Sequence, residues 1–229
     1  MSDIESRTES VTGSGVRLGM REISGARPDA KATDGVSRDY IRTYLGLMGS
    51  GKTTRALHDV WNSQRLLILS PTCPHVALHE IPSIYDTENY LKDFSAWIQR
   101  YPRLRIEKRA FPSEIFQHLS TLRGYVIMLD DLPALKTNGS ERAEFDSFIR
   151  TVRYNGNRVV LTAHRAKGDI SPLVRHIGTS FYWVGAGTRS RRELDSLYEL
   201  TNFPISFNEF CDVMARNQKY QVMDIRRAG

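Results

Sequence analysis

The most constraining feature of this sequence is a glycine-rich loop, residues 46–54, which reads Gly-Leu-Met-Gly-Ser-Gly-Lys-Thr-Thr. It fits the phosphate-loop pattern G-x-x-x-x-G-K-S/T, in which backbone N–H groups turn inward around phosphate oxygens. Lys52 would place its charge on the β- and γ-phosphates, and Thr53 would offer its hydroxyl to Mg²⁺. The pattern therefore predicts a nucleoside triphosphate site made of Gly46, Gly49, Ser50, Gly51, Lys52, Thr53 and Thr54.

The residues on either side of this loop have the local structure that such a motif requires. Residues 41–45 read as a short strand, and residues 55–61 read as a helix. A helix that starts at the loop adds the positive potential of its N-terminus to the phosphate site. The alternative, a glycine turn in front of an ordinary helix, does not call for this complete strand–loop–helix arrangement.

A second nucleotide-site pattern follows further along the chain. Tyr125-Val-Ile-Met-Leu129 is an apolar run that ends in the paired carboxylates Asp130 and Asp131. In Walker B motifs, a buried strand delivers the first carboxylate beside Mg²⁺ or its water ligands, and the next residue reaches the attacking water. The alternative is a strand followed by a turn that happens to start with Asp. With a P-loop upstream, the pattern predicts Asp130 as a metal ligand and Asp131 as the catalytic base.

The rest of the chain alternates between strand and helix patterns. Predicted strands are residues 41–45, 65–70, 104–108, 125–129, 158–162, 180–184 and 220–225, and predicted helices are residues 55–61, 86–98, 112–123, 140–154, 170–175, 191–200 and 206–216. Residues 72–85 read as irregular. Such alternation is typical of the α/β class with a mainly parallel central sheet flanked by helices. We therefore expect a single P-loop NTPase domain over residues 40–229.

Residues 1–39 differ in composition from the rest of the chain. They are rich in Ser, Gly, Thr, Asp and Arg and contain few large apolar residues. Such a segment cannot bury enough apolar surface to offset the entropy of ordering, so we predict a flexible N-terminal arm. The alternative is an assembly arm that becomes ordered on a neighbouring molecule.

The overall charge points to a polyanionic partner, since the net charge is +6 and the pI is about 9.4. The densest basic cluster is a solvated face or a phosphate-backbone contact, and it comprises Arg100, Arg103, Arg105, Lys108 and Arg109. No apolar run approaches the roughly 20 residues of a membrane span, so none is expected. The two cysteines, Cys73 and Cys211, are too few for a disulfide framework and indicate a reducing compartment.

A resemblance to a known family lies in the second half of the chain. Residues 153–165 read Arg-Tyr-Asn-Gly-Asn-Arg-Val-Val-Leu-Thr-Ala-His-Arg and are followed by Asp169-Ile170. This segment resembles the FtsK–HerA superfamily of RecA/ASCE-like ATPases, in which an arginine-bearing helix end precedes a strand closing in Thr-x-Gln-Arg. The likeness is greatest to the genome-packaging ATPases of tailless, membrane-containing phages and large DNA viruses. It extends over residues 40–226 and includes the closing strand near Tyr220–Ile225.

The sequence departs from the family pattern at two positions. The family usually has Glu after the Mg²⁺-binding Asp, whereas this chain has Asp131, one methylene shorter. A carboxylate of either length can orient and deprotonate water. The family's sensor at the end of the fourth strand is typically Gln, and the matching residue here is His164. Its ring can hydrogen-bond the γ-phosphate or a water, and its charge varies near neutral pH.

The resemblance implies a motor that hydrolyses ATP with Mg²⁺ and packages double-stranded DNA into a preformed viral capsid. Such motors are homo-oligomeric rings that hold the DNA backbone without reading its sequence and work with capsid vertex or portal proteins. The implied location is the cytoplasm of the infected host cell or the virion vertex. An arginine finger would reach the neighbouring subunit's γ-phosphate, and Arg153 matches this role best, ahead of Arg158 and Arg175.

Two other functions remain open from the sequence. A P-loop kinase for nucleotides or other small molecules would need an acceptor site and a lid with clustered arginines, and it would not respond to DNA. A morphogenesis factor of the Zot type would use ATP as a switch without hydrolysing it, although such proteins usually carry a membrane span. The response of ATP hydrolysis to duplex DNA separates these functions from a packaging motor.

Overall fold

A sheet of eight strands organises the part of the chain that this computed structural model describes, which is residues 39–71, 80–85, 91–107, 111–135, 140–185, 190–201, 205–217 and 222–225. The strands are β1 Ile41–Leu45, β2 Leu66–Ser70, β3 Ser83–Tyr85, β4 Arg103–Glu107, β5 Val126–Leu129, β6 Arg158–Ala163, β7 Ser180–Val184 and β8 Val222–Ile225. The predicted arm, residues 1–39, lies outside the described residues except for Asp39.

Seven helices connect these strands within the described residues. They are α1 Lys52–Val60, α2 Phe94–Arg100, α3 Glu114–Thr121, α4 Ser140–Thr151, α5 Pro172–Ile177, α6 Arg191–Tyr198 and α7 Phe207–Arg216. A short 3₁₀ helix, Leu132–Leu135, follows β5. None of the helices described here is long and apolar enough to cross a membrane.

The sheet is parallel except at one end. Its strand order is β3-β4-β2-β5-β6-β1-β7-β8, and only the pair β7–β8 is antiparallel. Because β5 and β1 both pair in parallel with β6, all three strands end at the same side of the sheet. We call that side the carboxyl edge and the opposite side the amino edge. The predicted mainly parallel sheet is confirmed, and its carboxyl edge is where α/β proteins bind ligands.

The core explains why these segments form strands with helices on both sides. Every residue of β2 is buried, as expected for a parallel strand whose two faces are both covered. On one face, Ala56, Leu57 and Val60 of α1 pack in a cluster that includes Tyr44 and Ile68. Elsewhere, the Phe116 ring of α3 lies 5.3 Å from the Phe145 ring of α4, centroid to centroid.

Two segments differ from the sequence prediction. Strand β3 forms inside residues 72–85, which read as irregular, because its three residues extend the sheet beside β4. The helix predicted over residues 86–98 is described only from Phe94, after a turn at 91–93. Its apolar stripe is part of the core as expected, since Phe94 and Ile98 are buried.

The basic cluster around β4 is not one continuous charged face. Arg105 is only 2% exposed, and its guanidinium lies 3.2 Å from the Glu107 carboxylate. The guanidinium of Arg103 stacks over the Trp61 ring at 5.0 Å. Arg105 is therefore neither solvated nor available to DNA. Lys108 and Arg109 lie outside the described residues.

A charged network ties the start of β1 to its neighbours. The Asp39 carboxylate accepts hydrogen bonds from the hydroxyls of Thr179 (2.6 Å) and Ser180 (2.9 Å) and from Nε of Arg42 (2.9 Å). Arg42 also pairs with Asp59 of α1. Burial alone would raise the pKa of Asp39, but these hydrogen bonds and the nearby charge of Arg42 outweigh it and hold the pKa below its ordinary value of 3.8.

This network predicts a pH-dependent contribution to stability. A carboxyl with a lowered folded-state pKa stabilises the protein above its unfolded pKa, and the stabilisation is lost as pH falls through the folded pKa. We expect Asp39→Asn to lower the free energy of unfolding by about 1–3 kcal/mol at pH 7. Urea unfolding of both proteins should show this difference shrinking below about pH 4. A difference that persisted undiminished at pH 3 would contradict the prediction.

Candidate nucleotide and metal site

The P-loop joins the carboxyl end of β1 to the first turn of α1. Gly49 (φ 73°) and Gly51 (φ 93°) adopt the left-handed conformation that lets successive N–H groups point into one concavity. Gly46 is required for a different reason, since a Cβ there would lie 2.3 Å from the carbonyl oxygen of Val184. The loop therefore packs against the end of β7 and has the glycine conformations that a phosphate-binding loop requires.

The side chain of Lys52 lies inside this loop. Lys52 is only 8% exposed, and its Nζ donates to the carbonyl of Leu47 at 2.9 Å. Nζ is also 3.4 Å from Nδ1 of His164. The ammonium is thus held near the centre of the loop, where the motif predicts the β- and γ-phosphates to bind.

Asp130 is a buried carboxylate at the end of β5. It is 4% exposed and accepts hydrogen bonds from the hydroxyls of Thr53 (2.9 Å) and Thr162 (2.7 Å), with a longer one from Ser70 (3.4 Å). No ion pair joins Asp130 to a cation among the residues that the structure describes. A buried carboxylate needs a compensating positive charge, and two adjacent oxygen ligands suit Mg²⁺. Thr53 and Asp130 therefore fit a magnesium ion.

Asp131 has an unusual backbone conformation that directs it away from Asp130. Its φ is 55°, and its N–H donates to the hydroxyl of Thr162 at 2.7 Å. The side chain is 35% exposed, and its Oδ1 lies 3.3 Å from Nε2 of His164. One carboxylate thus faces the interior beside Thr53, while the next faces the surface of the site, where a water can reach it.

His164 connects Asp131 to Lys52. An ammonium group has only hydrogen-bond donors, so Nδ1 must accept from Lys52, and in the neutral ring the proton is then on Nε2, facing Asp131. The backbone around His164 is held by Asp169, whose carboxylate accepts from the N–H groups of His164 (3.0 Å) and Arg165 (2.8 Å). The residue predicted to sense phosphate thus also lies against the candidate base.

The three candidate arginines lie in different surroundings. Arg153 is exposed at the amino edge, beyond α4, with its guanidinium 5.8 Å from the centre of the Tyr40 ring. Arg158 donates to the backbone carbonyl of Asp59 at 3.1 Å, and Arg175 lies 3.7 Å from Glu199. β1 alone spans about 16 Å, so Arg153 and the P-loop are at opposite ends of the strands. The structure does not bring Arg153 to the site of its own chain.

Comparison with solved structures gives the fold. The genome-packaging NTPase B204 of Sulfolobus turreted icosahedral virus 2, in complex with AMP, matches with a TM-score of 0.59 at 16% identity, over 82% of this chain and 92% of that chain. The B204 DNA-packaging ATPase of Sulfolobus turreted icosahedral virus gives 0.57 at 14% identity, over 83% and 98%. VirB4 of Thermoanaerobacter pseudethanolicus gives 0.53 at 8% identity, over 82% and 89%. The chain has the P-loop NTPase fold.

No protein-family model and no curated protein sequence matches the chain. At these sequence identities the structural likeness shows the P-loop NTPase fold, which the sequence motifs predicted. The strand order explains how the two motifs meet in this fold. β6 lies between β1 and β5. The P-loop, the paired carboxylates and His164 therefore follow the carboxyl ends of three adjacent strands.

Sequence reasoning missed three residues of this P-loop NTPase site. Thr162 bonds both Asp130 and the N–H of Asp131, Ser70 donates to Asp130, and Asp169 closes the turn after His164. Thr162 and Ser70 each interrupt or end an otherwise apolar buried strand. A polar residue at the carboxyl end of such a strand was the available signal, since its hydroxyl needs a buried partner.

The two contacts of His164 predict how it can be replaced. A Gln amide also carries one donor and one acceptor group, so we expect His164→Gln to hydrolyse ATP within about threefold of wild type. His164→Ala removes both contacts, and we expect a fall in kcat of about 10- to 100-fold. Steady-state ATP hydrolysis, with thermal melting to confirm folding, tests both variants. Equal activity of the Ala and Gln variants would contradict the positioning role.

Proposed function

We propose that this protein is an ATP-hydrolysing translocase that packages double-stranded viral DNA into a preformed capsid. The observation that carries the proposal is the meeting of Lys52, Thr53, Asp130 and Asp131 at one point of the carboxyl edge. This set provides groups for phosphate, metal and water in one place. The likeness to B204, whose structures include one with ATP-γ-S, supports a packaging motor over other P-loop proteins.

Within this proposal, each residue of the site has a part in hydrolysis. Lys52 and the P-loop N–H groups hold the β- and γ-phosphates. Thr53 and Asp130 would hold Mg²⁺, which would offset the charge that develops on the phosphate oxygens. Asp131 accepts a proton from a water molecule while the oxygen of that water attacks the γ-phosphorus. The bond between the γ-phosphorus and the ADP oxygen breaks at the same time. His164 keeps the Asp131 carboxylate in position through Nε2.

The location of Arg153 supports a homo-oligomeric ring. Because Arg153 is exposed at the amino edge, it can stabilise a γ-phosphate only in a neighbouring subunit. Head-to-tail contacts of this kind join different surfaces of identical subunits, and they form a ring when the rotation between subunits closes. Arg158 and Arg175 are less suited, because Arg158 donates a hydrogen bond to a backbone carbonyl and Arg175 lies beside a carboxylate, whereas the guanidinium of Arg153 contacts an aromatic ring.

The net charge of +6 supports DNA as the polymer that is moved. A pump must hold DNA of any sequence, so we propose contacts to the phosphate backbone rather than to bases. Binding should then weaken as salt rises and be indifferent to sequence. Capsid vertex or portal proteins are the proposed assembly partners, in the cytoplasm of the infected host or at the virion vertex.

The deciding experiment measures ATP hydrolysis with and without long double-stranded DNA, with Lys52→Ala as the inactive control. We expect strong stimulation by duplex in the wild-type protein and none in the control. Hydrolysis that ignores DNA would overturn the translocase and favour a kinase, to be followed by a screen of phosphate acceptors. Tight ATP binding without any hydrolysis, with or without DNA, would favour an ATP-driven switch instead.

A further inference from the structure

A second cationic site lies next to the nucleotide site on the carboxyl edge. Its centre is a cavity of about 390 Å³ between the turn that follows β6 and the start of α6. Of the residues that the structure describes, three cationic side chains line it: Arg165 and Lys167 from the turn, and Arg192 from α6. All three residues are exposed, whereas Trp183 and Leu197, which also line the cavity, are buried.

The charge around this cavity is mostly unbalanced. Among the described lining residues the carboxylate is Glu193, which lies 3.9 Å from Arg165 and also accepts a hydrogen bond from Ser190. No carboxylate among the described residues forms an ion pair with Lys167 or Arg192. An excess of exposed cations around a concave surface attracts a polyanion. The cluster Arg165, Lys167 and Arg192 is therefore suited to binding several phosphates.

The chemistry of the cluster favours a nucleic-acid backbone over a small phosphorylated molecule. A small anion is usually held by preorganised donors such as the N–H groups of the P-loop. Here the charges stand on long, solvated side chains that adapt to phosphates spread along a strand. The other basic cluster of the chain is less suitable, because Arg105 is buried against Glu107.

The turn after β6 connects this cluster to the nucleotide site. The ring of His164 contacts Lys52 and Asp131, and both His164 and the next residue, Arg165, line the cavity. Asp169 accepts from the N–H groups of both residues, so the turn is closed into one unit, with Ala166 and Ile170 buried beneath it. If His164 moves when the phosphates of the bound nucleotide change, Arg165 would therefore move as well.

From these observations we infer that Arg165, Lys167 and Arg192 bind the phosphate backbone of double-stranded DNA, and that the turn closed by Asp169 makes this grip depend on the bound nucleotide. The inference rests on the proposed translocase function and names the surface by which DNA is held.

The test is the affinity of the full-length protein for a fluorescein-labelled 30-base-pair duplex of random sequence, measured by anisotropy at several salt concentrations. We expect the double variant Arg165→Ala/Lys167→Ala to bind about tenfold more weakly and to lose about 2 units of the salt slope, because about 0.9 counterions are released per phosphate contact. The matched control is Arg65→Ala/Arg123→Ala, which removes the same charge from two exposed residues at the amino edge. It should bind like wild type.

A second measurement tests the coupling. We expect the wild-type affinity for duplex to differ between ADP and a non-hydrolysable ATP analogue, and Asp169→Ala to shrink that difference while the three cations remain. If the double variant and its control bind DNA equally, the surface is wrong although the translocase stands. If the double variant loses nucleotide affinity but keeps DNA affinity, the cavity belongs to the nucleotide site and the inference fails. A wild-type protein that binds no duplex at low salt would overturn the proposed function itself.

Discussion

Replacing Lys52 by alanine is expected to lower kcat for ATP hydrolysis by about 100- to 1,000-fold, the loss found when one preorganised donor to a developing negative charge is removed. The side chain is 8% exposed and aimed at the phosphate position, so solvent cannot replace it. The variant also leaves Nδ1 of His164 without its donor. Steady-state hydrolysis, with an ATP-binding assay beside it, measures the effect.

The control for this variant is Lys92→Ala, which removes an equal charge from an exposed position far from the P-loop in sequence. It should leave both kcat and the melting temperature unchanged. Hydrolysis by Lys52→Ala at more than a tenth of the wild-type rate would show that the loop binds phosphate without taking part in the reaction.

Replacing Arg153 by alanine is expected to lower hydrolysis even further, by about 10³- to 10⁵-fold, the range attributed to arginine fingers. The matched control is Arg150→Ala, an exposed arginine that lines the same cavity of about 540 Å³ at the amino edge. Since Arg153 contacts no group of its own nucleotide site, the affinity of each subunit for ATP should not change. Loss of activity should therefore occur without loss of binding.

Mixing two inactive variants separates a finger that acts between subunits from any other role of Arg153. Subunits with Lys52→Ala keep Arg153, and subunits with Arg153→Ala keep an intact P-loop. If the arginine acts in the neighbouring site, the mixture should regain hydrolysis well above the sum of its parts. A mixture as inactive as its components, under conditions where wild-type subunits assemble, would assign the finger elsewhere.

The sheet and the two nucleotide motifs were predictable because their signals are local. Largely apolar runs such as residues 65–70 and 125–129 favour buried strands because they are shorter than most helices, and the P-loop pattern fixes the positions of its glycines. The paired carboxylates were predictable as well, because two acidic residues directly after a core strand are unusual unless they bind a ligand or another partner. All of these appear at the carboxyl edge of the structure.

The features of the structure that could not be predicted from the sequence depend on contacts between distant segments. Arg105 reads as part of a basic cluster, and only its place in β4, beside Glu107, makes it a buried ion pair. β3 is too short to have a periodicity of its own and forms through pairing with β4. The contact of His164 with both Lys52 and Asp131 requires β6 to lie between β1 and β5, which no local pattern specifies.

The backbone at Asp131 restricts which residues can occupy this position. Among the described residues it is the only one other than glycine with a positive φ, at 55°, and Asp and Asn tolerate that region far better than residues with longer side chains. Of these two residues only Asp can accept a proton from water, so an Asp at this turn combines the backbone conformation with the chemistry of a base.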